Sequence, residues 1–591
     1  MKRNEVPDSL KWRLEDIFPS IQSWEQALAA FHKDTVGVLR FKGKLSVKES
    51  ALACFQFMDE ISARLERLFC YAMFKKDENT VDTKAQELKS QIETIWVQFS
   101  TDASFVTPEL SNLDTAVLES WAADPAFKAY DYQLKSLIRK KNHILSEVEE
   151  RLLARAGKMT GAFDDIFSAI NNSDLPLPVI TIEGKKQKMT HGLYSLWLQN
   201  KDPDVRKRAF IGMYKAIESM IETTAQTFAA SINKDNFLAQ VRNYSSAQEK
   251  ALVSKDIPTR VYSTLLEETE KHLSPLHDYI ALRKKVLKLP ELHMYDLAVP
   301  MFENAEIALP YSEAYDLMAE GLSAMGAEYN GLLKKAKEQR WIDVEETENK
   351  RSGAYSCGVY GVHPYILLNY KPTTNNLFTI AHEMGHALHS YYSAKNQPYA
   401  KNDYEIFVAE VASTVNEVLL LKYLIGKEKN STVKKYLLSY YIDMFRTTLF
   451  RQTMFAEFES ITHSAEQKGT PLTVDYLNKQ YLKLNKKYYG DAVKHDRQIR
   501  LEWARIPHFY RAFYVYQYAT GLVSAVNIAN SILNEEPQAF SRYKDFLSAG
   551  GHKSPYEILK DAEVDLLQEE PYKIAFGEFE AAVRELERLC E

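Results

Sequence analysis

The residues best suited to chemistry lie close together between positions 379 and 389, in the segment Thr-Ile-Ala-His-Glu-Met-Gly-His-Ala-Leu-His. His382, Glu383 and His386 form the pattern H-E-x-x-H. In a helix, residues four apart lie one turn apart on the same face, so both imidazoles can bind one metal ion. Glu383 lies about 100° further round the helix, where it can reach a water on the metal without ligating easily. The pattern therefore indicates a metal centre that activates water.

A third ligand is needed, because catalytic zinc usually has three protein ligands and a water, commonly from two His and one Glu. Glu410 is the candidate, in the next helical stretch after His386. It is flanked by Phe407 and Val408, and a carboxylate beside such a surface is costly to bury unless it is paired or bound to metal. Glu417, two turns later on the same face, could accept a hydrogen bond from a ligand imidazole.

His389 is a second candidate for the third ligand, since it lies on roughly the same face as His382. Metalloproteases with a third His require H-E-x-x-H-x-x-G-x-x-H. Here His389 stands where the glycine is needed and Tyr392 stands where the histidine is needed. His389 is therefore interpreted as a residue that supports a ligand or as a packed core residue.

The elements around this segment are predicted to be mainly α-helical. Apolar residues recur at three- and four-residue spacing, with charges between them, over the stretches Val47–Leu68, Val81–Phe99, Ser146–Ile170 and Asp204–Phe237. Two segments differ from this pattern, and β-branched residues and glycines predict a hairpin at Leu177–Met189 and a small β element at Ser352–Asn369. The second lies just upstream of the H-E-x-x-H helix.

The domain division is predicted near Asp202–Pro203, where a new helix begins. Residues 1–200 hold no cluster of ligand-type side chains and are expected to form an N-terminal helical domain that shapes or covers the site. Residues 201–591 are expected to form the catalytic metallopeptidase domain.

Composition excludes several classes of function. The 591 residues are 45% hydrophobic and 26% charged, which is ordinary for a globular protein. With 74 basic and 80 acidic residues, the net charge of −6 argues against nucleic acid or anionic lipid as a partner. No stretch approaches the roughly 18–20 apolar residues that span a membrane, and the N-terminus lacks the apolar core of a secretory signal. A cytoplasmic protein with no nucleic-acid or membrane partner is predicted.

Longer motifs carry a family resemblance. The stretch IAHEMGHALH, followed by FVAEVASTVNE, resembles the thimet-oligopeptidase group of metallopeptidases. KRSGAYSCGVYGVHPYILLNY and RIPHFYRAFYVYQYATG narrow the resemblance to the oligoendopeptidase F branch, and KWRLEDIFP extends it to the N-terminus. The resemblance implies one zinc ion, a mostly helical prolate ellipsoid with a deep substrate channel, and hydrolysis of unstructured oligopeptides. By matching position it implies zinc ligation by His382, His386 and Glu410, with Glu383 as general base and Glu417 in support.

The C-terminal motif matches a region that, in the wider family, is thought to stabilise the tetrahedral intermediate. The preferred candidates here are His508, Tyr514 and Tyr518, with Tyr510 and Tyr516 behind them. A phenol can donate a hydrogen bond to a developing oxyanion. The alternative is that a tyrosine-rich helix, in a chain with 35 tyrosines, only packs.

These observations predict a zinc-dependent endopeptidase that cleaves internal bonds of short unstructured oligopeptides. Gly358, Gly361 and Tyr365 are predicted to offer an edge strand to an extended peptide, with an internal strand as an equal alternative. Three other functions stay open: a dipeptidyl carboxypeptidase-like exopeptidase on the same scaffold, a non-catalytic peptide-binding protein, and a protein with a structural zinc site.

Overall fold

A computed structural model describes residues 1–182, 184–302 and 305–591, and most of them are helical. The mainly α prediction is confirmed. Residues before 307 form helices α1 Ile21–Thr35, α2 Lys48–Glu78, α3 Thr83–Asp102, α4 Val106–Ser111, α5 Thr115–Ala122, α6 Asp131–Lys140, α7 Glu147–Ala169, α8 His191–Trp197, α9 Pro203–Ser219, α10 Ile221–Val241, α11 Ala247–Val253, α12 Arg260–Lys271 and α13 Ser274–Val286, and strands β1 Val179–Ile182 and β2 Lys185–Lys188.

Residues from 307 onward contain the remaining strands and the helices that carry the H-E-x-x-H motif. The strands are β3 Ile342–Glu345, β4 Tyr355–Cys357 and β5 Tyr365–Tyr370. The helices are α14 Tyr311–Gly321, α15 Gly326–Glu338, α16 Thr374–Asn396, α17 Tyr399–Asn402, α18 Ile406–Lys427, α19 Ser431–Met444, α20 Arg451–Gln467, α21 Val474–Tyr489, α22 Tyr516–Leu533, α23 Ala539–Ser548, α24 Pro555–Asp561 and α25 Glu570–Cys590.

The four predicted helical stretches correspond to observed helices. Three coincide with α2, α3 and α7, whereas the fourth is divided at Met220 into α9 and α10. The predicted hairpin is also observed, because β1 and β2 pair antiparallel with Val179 opposite Lys188. Glu183, at its turn, lies outside the described residues. None of the helices in the described part of the chain is long and apolar enough to cross a membrane.

The chain divides into two compact units, each assembled from three separate segments. The first contains Met1–Ile144, Ile307–Leu424 and Ala525–Val564, and the second contains Leu145–Glu306, Ile425–Ser524 and Asp565–Glu591. Each unit thus draws on residues from both sides of position 200. The predicted boundary there, the ellipsoidal shape and the substrate channel stay predictions.

The second predicted β element is part of a three-stranded sheet in the first unit, with strand order β3-β5-β4. β5 pairs parallel with β3 and antiparallel with β4. β5 is therefore the central strand. Of the two alternatives from the sequence, an edge strand or an internal strand, the internal strand is the one observed at Tyr365–Tyr370. The prediction that Tyr365 lies on an edge strand that binds a peptide is wrong for this reason. Its ring is fully buried in the core, and its hydroxyl donates to the Arg13 carbonyl at 3.0 Å.

Helix α16 begins where the sequence provides a cap. Thr373 accepts a hydrogen bond from the Asn376 backbone N–H at 3.2 Å, which satisfies one of the free donors of the first turn. α18 follows, in the same unit as far as Leu424, and most of its apolar residues are buried. These two helices carry every candidate metal ligand.

Candidate active site

α16 and α18 approach each other closely at Gly385. A β-carbon added there would lie 2.5 Å from Ser413 Cα and 2.6 Å from the Ala412 carbonyl oxygen, both in α18. Only a residue without a side chain allows this contact. The glycine inside H-E-x-x-H could have indicated a close helix contact, but the sequence analysis did not predict one. Its effect is to bring the ligand-bearing turns of the two helices together.

Three candidate ligands converge at this contact. Glu410 Oε2 lies 3.6 Å from His382 Nε2 and 3.7 Å from His386 Nε2. Tetrahedral zinc with bonds near 2.0–2.1 Å would separate its donors by about 3.3 Å, so this donor set fits such an ion with small adjustments. Among the described residues, these three form a group with metal-ligand spacing, and no fourth His, Cys, Asp or Glu joins them. Three protein ligands are typical of a catalytic centre, because one position stays open for water or substrate.

Both candidate ligand histidines are oriented by α18. Glu417 Oε1 lies 2.6 Å from Nδ1 of His382, and a hydrogen bond joins His386 to the backbone of Ala409. Asn416, which the sequence interpretation missed, donates to the Ala381 carbonyl at 3.0 Å and accepts from the Tyr329 hydroxyl at 2.8 Å. A buried-type position for a polar Asn, between Val415 and Val418 in α18, was the available signal.

Burial and charge act differently on the titratable groups of the site. Burial opposes protonation of His382, but the hydrogen bond and charge of Glu417 outweigh it and raise its pKa to about 9. Burial lowers the pKa of His386 to about 3, and the nearby His382 adds to the effect. Burial raises the pKa of Glu383 to about 7, reinforced by the carboxylate of Glu410 and opposed by His382. A carboxyl group of this kind can exchange a proton near neutral pH.

His389 lies in the core rather than at the ligands. Its ring is 1% exposed, stacks on Tyr404 with centroids 3.7 Å apart, and contacts Phe546. Burial lowers its pKa to about 3, which keeps the imidazole neutral. Nδ1 has no hydrogen-bond partner within the described residues. Of the two interpretations offered for His389, the packed residue fits this placement.

The predicted glycines lie beside the sheet. A β-carbon at Gly358 would lie 2.9 Å from Ser390 Cβ, so the glycine is needed where the end of β4 packs on α16. Gly361 has a φ of +76°, in the left-handed region that favours glycine. Both positions have a structural explanation, and their contact with a peptide stays a prediction.

The second unit contains the other candidates, and three of them form a cluster. The His508 ring is parallel to the Tyr514 ring at 6.0 Å, and the Tyr518 ring meets the Tyr514 ring edge-on at 5.5 Å. Nε2 of His508 lies 3.4 Å from the Tyr518 hydroxyl. All three side chains are partly exposed.

Tyr510 and Tyr516, the less favoured candidates, are buried away from this cluster. Tyr510 stacks on Phe167 with centroids 4.5 Å apart, and Tyr516 is 2% exposed and packs against Tyr262. The partly exposed side chains are therefore the three that the sequence interpretation preferred. Burial lowers the pKa of His508, so its imidazole is neutral near pH 7.

Comparison with known proteins identifies relatives along the whole chain. The family described as Peptidase family M3 matches residues 196–578, and Oligopeptidase F matches residues 109–176. Oligopeptidase PepF of Bacillus subtilis is 42% identical over 597 residues, covering 100% of this chain and 89% of that protein. An oligoendopeptidase F homolog of Lactococcus lactis is 39% identical over 603 residues, covering 100% and 98%.

Solved structures show the same fold. The crystal structure of oligoendopeptidase-F from Enterococcus faecium has a TM-score of 0.74 and 35% identity, covering 96% of this chain and 99% of that one. A crystal structure from Chlamydophila abortus has a TM-score of 0.94 and 34% identity, covering 100% and 99%.

Proposed function

Because the chain belongs to peptidase family M3, within its oligoendopeptidase F branch, we propose that it is a zinc-dependent endopeptidase that cleaves internal bonds of short, unstructured peptides. Membership makes it a metallopeptidase that acts on oligopeptides. Three parts of the proposal go beyond family membership: that the metal is zinc, that Glu383 is the base, and that internal bonds are cleaved. The observation that carries the zinc ion and the role of Glu383 is the convergence of His382, His386 and Glu410 beside Glu383. Internal cleavage is proposed from the similarity to oligoendopeptidases.

The donor set supports zinc as the resident metal. Two imidazole nitrogens and one carboxylate oxygen form a set common in catalytic zinc sites. One zinc ion held there would supply a water of lowered pKa and would polarise the scissile carbonyl. Glu417 and the backbone at Ala409 would keep the two imidazoles oriented towards the metal.

Glu383 is the proposed general base. It follows ligand His382 directly in α16, so its carboxylate is turned away from the ligand face yet remains within the same turn. Glu383 would take the proton from the attacking water and deliver it to the leaving amine. Its burial excludes bulk water that would otherwise compete for that proton.

The cluster of His508, Tyr514 and Tyr518 is the proposed source of hydrogen bonds to the oxyanion. Its partly exposed phenol and imidazole groups can donate hydrogen bonds of the kind such a role requires. Gly358 and Gly361 are proposed to lie along the bound peptide, and a cytoplasmic location is proposed from the sequence. No step in this scheme needs a nucleic acid or a membrane.

The test compares wild type with Glu383→Gln on an internally quenched peptide, with zinc content measured for each. The proposal predicts that Glu383→Gln retains zinc and loses cleavage by about 10³-fold or more, since base and proton donor are lost together. Glu313→Gln, an exposed glutamate in α14, is the matched control and should cleave like wild type.

Product masses separate the remaining alternatives. Fragments from internal cleavage support an endopeptidase, whereas successive release of C-terminal dipeptides supports the exopeptidase alternative. A wild type that binds the peptide but never cleaves it, even with zinc supplied, would establish the binding-protein alternative instead.

A further inference from the structure

The backbone just before Tyr514 adopts an unusual conformation. Phe513 has a φ of 55°, in the left-handed region that is unfavourable for a residue with a β-carbon. A bulky aromatic residue remains in that region only where its surroundings fix it. The group that fixes Phe513 therefore also sets the direction in which the chain enters Tyr514.

The side chain of Glu459, in α20, provides that group. Its Oε1 accepts a hydrogen bond from the Phe513 backbone N–H at 2.9 Å. The Phe513 ring is 3% exposed and packs against His463, one turn further along α20, with centroids 4.7 Å apart. His463 is itself oriented by a hydrogen bond from its Nδ1 to the Glu459 carbonyl at 2.9 Å. One face of α20 thus holds both the backbone and the ring of Phe513.

Glu459 is an unexpected residue in this position. Its side chain is fully buried, and burial raises its pKa well above the usual value. Oε2 has no hydrogen-bond partner among the described residues, whereas Oε1 accepts the hydrogen bond from the Phe513 N–H. Burying a polar group with one oxygen unsatisfied costs free energy that an apolar residue would avoid. In this position Glu459 makes a hydrogen bond to the Phe513 backbone that an apolar residue could not make.

We propose that Glu459 is a positioning residue for peptide cleavage: through Phe513 it holds Tyr514 against His508 and Tyr518. This inference rests on the proposed role of Tyr514 as an oxyanion donor. Because Phe513 and Tyr514 are adjacent, a change in the backbone at Phe513 rotates the Tyr514 phenol directly. A misplacement of about 1 Å in a catalytic group can cost about 100-fold in rate.

The first experiment compares Glu459→Gln with Glu459→Leu in the full, zinc-loaded chain. Gln keeps an acceptor oxygen, so kcat should stay within about threefold of wild type, whereas Leu removes it and should lower kcat by about tenfold or more with KM little changed. Thr453→Val, a buried substitution in the same helix at a hydroxyl that donates to the Leu449 carbonyl, controls for general disturbance of α20. Equal losses in Gln and Leu, or an unchanged kcat in Leu, would overturn the inference.

A double-mutant cycle with Tyr514→Phe shows whether Glu459 acts through that phenol. Tyr514→Phe alone should lower kcat by about 100-fold, the usual loss for one oxyanion donor. Adding Glu459→Leu to it should cost less than about threefold further, because the group being positioned is already gone. Full additivity would overturn the positioning role alone. An unaffected kcat in Tyr514→Phe would overturn the oxyanion role of Tyr514, and the positioning role with it.

Discussion

Glu417 Oε1 lies 2.6 Å from Nδ1 of His382, and this hydrogen bond determines which ring nitrogen is free for a metal. With Nδ1 bound to the carboxylate, Nε2 faces Glu410 at 3.6 Å. A carboxylate in this position also increases the basicity of the imidazole, as the raised pKa of His382 shows. Glu417 therefore supports the candidate ligand His382 without belonging to the three-residue group that could hold a metal.

Glu417→Ala should weaken zinc binding by about 10–100-fold, the usual cost of removing a partner of a ligand histidine. Glu417→Gln, which keeps an acceptor oxygen but loses the charge, should lie between Ala and wild type. Competition with a chromogenic chelator measures both affinities, with Glu313→Gln as the control. Equal affinity in Glu417→Ala and wild type would show that the hydrogen bond does not support the metal.

Gly385→Ala should separate α16 from α18. The new methyl group would overlap Ser413 Cα and the Ala412 carbonyl, both backbone atoms that cannot rotate away. We expect a loss of about 1–3 kcal/mol in stability together with reduced zinc content. Gly157→Ala, in the helix α7, has nothing within 4 Å of the new methyl and should be neutral or slightly stabilising. Calorimetry and metal analysis compare the two variants. Normal zinc content in Gly385→Ala would contradict the prediction that the close contact of α16 and α18 is needed for metal binding.

Asp343→Asn should destabilise the first unit by about 3–5 kcal/mol, because it leaves the buried Lys350 ammonium without the carboxylate that neutralises its charge. Asp343 Oδ1 lies 2.7 Å from Lys350 Nζ, and Oδ2 lies 2.7 Å from an Arg3 nitrogen. The thermal unfolding midpoint measures the effect. Asp8→Asn, at an exposed ion pair with Lys11, is the control and should leave the midpoint unchanged.

The same carboxylate predicts a dependence on pH. Burial opposes its ionisation, but Arg3 and Lys350 outweigh that effect and hold the pKa of Asp343 below its usual value. Its stabilisation is therefore complete above the unfolded pKa of about 3.9 and is lost as the pH falls through the lower folded pKa. Asp343→Asn should lack this part of the acid transition, and an unchanged transition would contradict the assignment.

Tyr365→Phe should leave KM for a peptide unchanged, because the residue lies in the central strand and its ring is fully buried. The variant loses only the hydrogen bond to the Arg13 carbonyl, at a cost of about 1 kcal/mol in stability. Steady-state kinetics on the quenched peptide measure the KM. A raised KM with normal stability would restore Tyr365 to the peptide-binding surface.

The candidate metal ligands could be identified from the sequence because the pattern that marks them is local. His382, Glu383 and His386 lie within two turns of one helix, and the apolar flank of Glu410 marks it as a residue with a partner. β3 was not predicted, because a four-residue strand pairs in parallel with β5 through contacts that no local pattern records. Glu459 was missed for a related reason. Its role depends on Phe513, and only tertiary structure brings the two together.

The discontinuity of the first unit has a consequence for the timing of its assembly during translation. His389 in α16 packs on Phe546 in α23, and Tyr543 of α23 contacts the Ala412 carbonyl in α18. A ribosome therefore synthesises all three candidate ligands well before it makes the helix that packs behind them. Because closing so long a loop is slow, these residues remain on an unfinished scaffold while downstream residues emerge. We therefore expect any metal at this site to be bound stably only after residue 564 has left the exit tunnel.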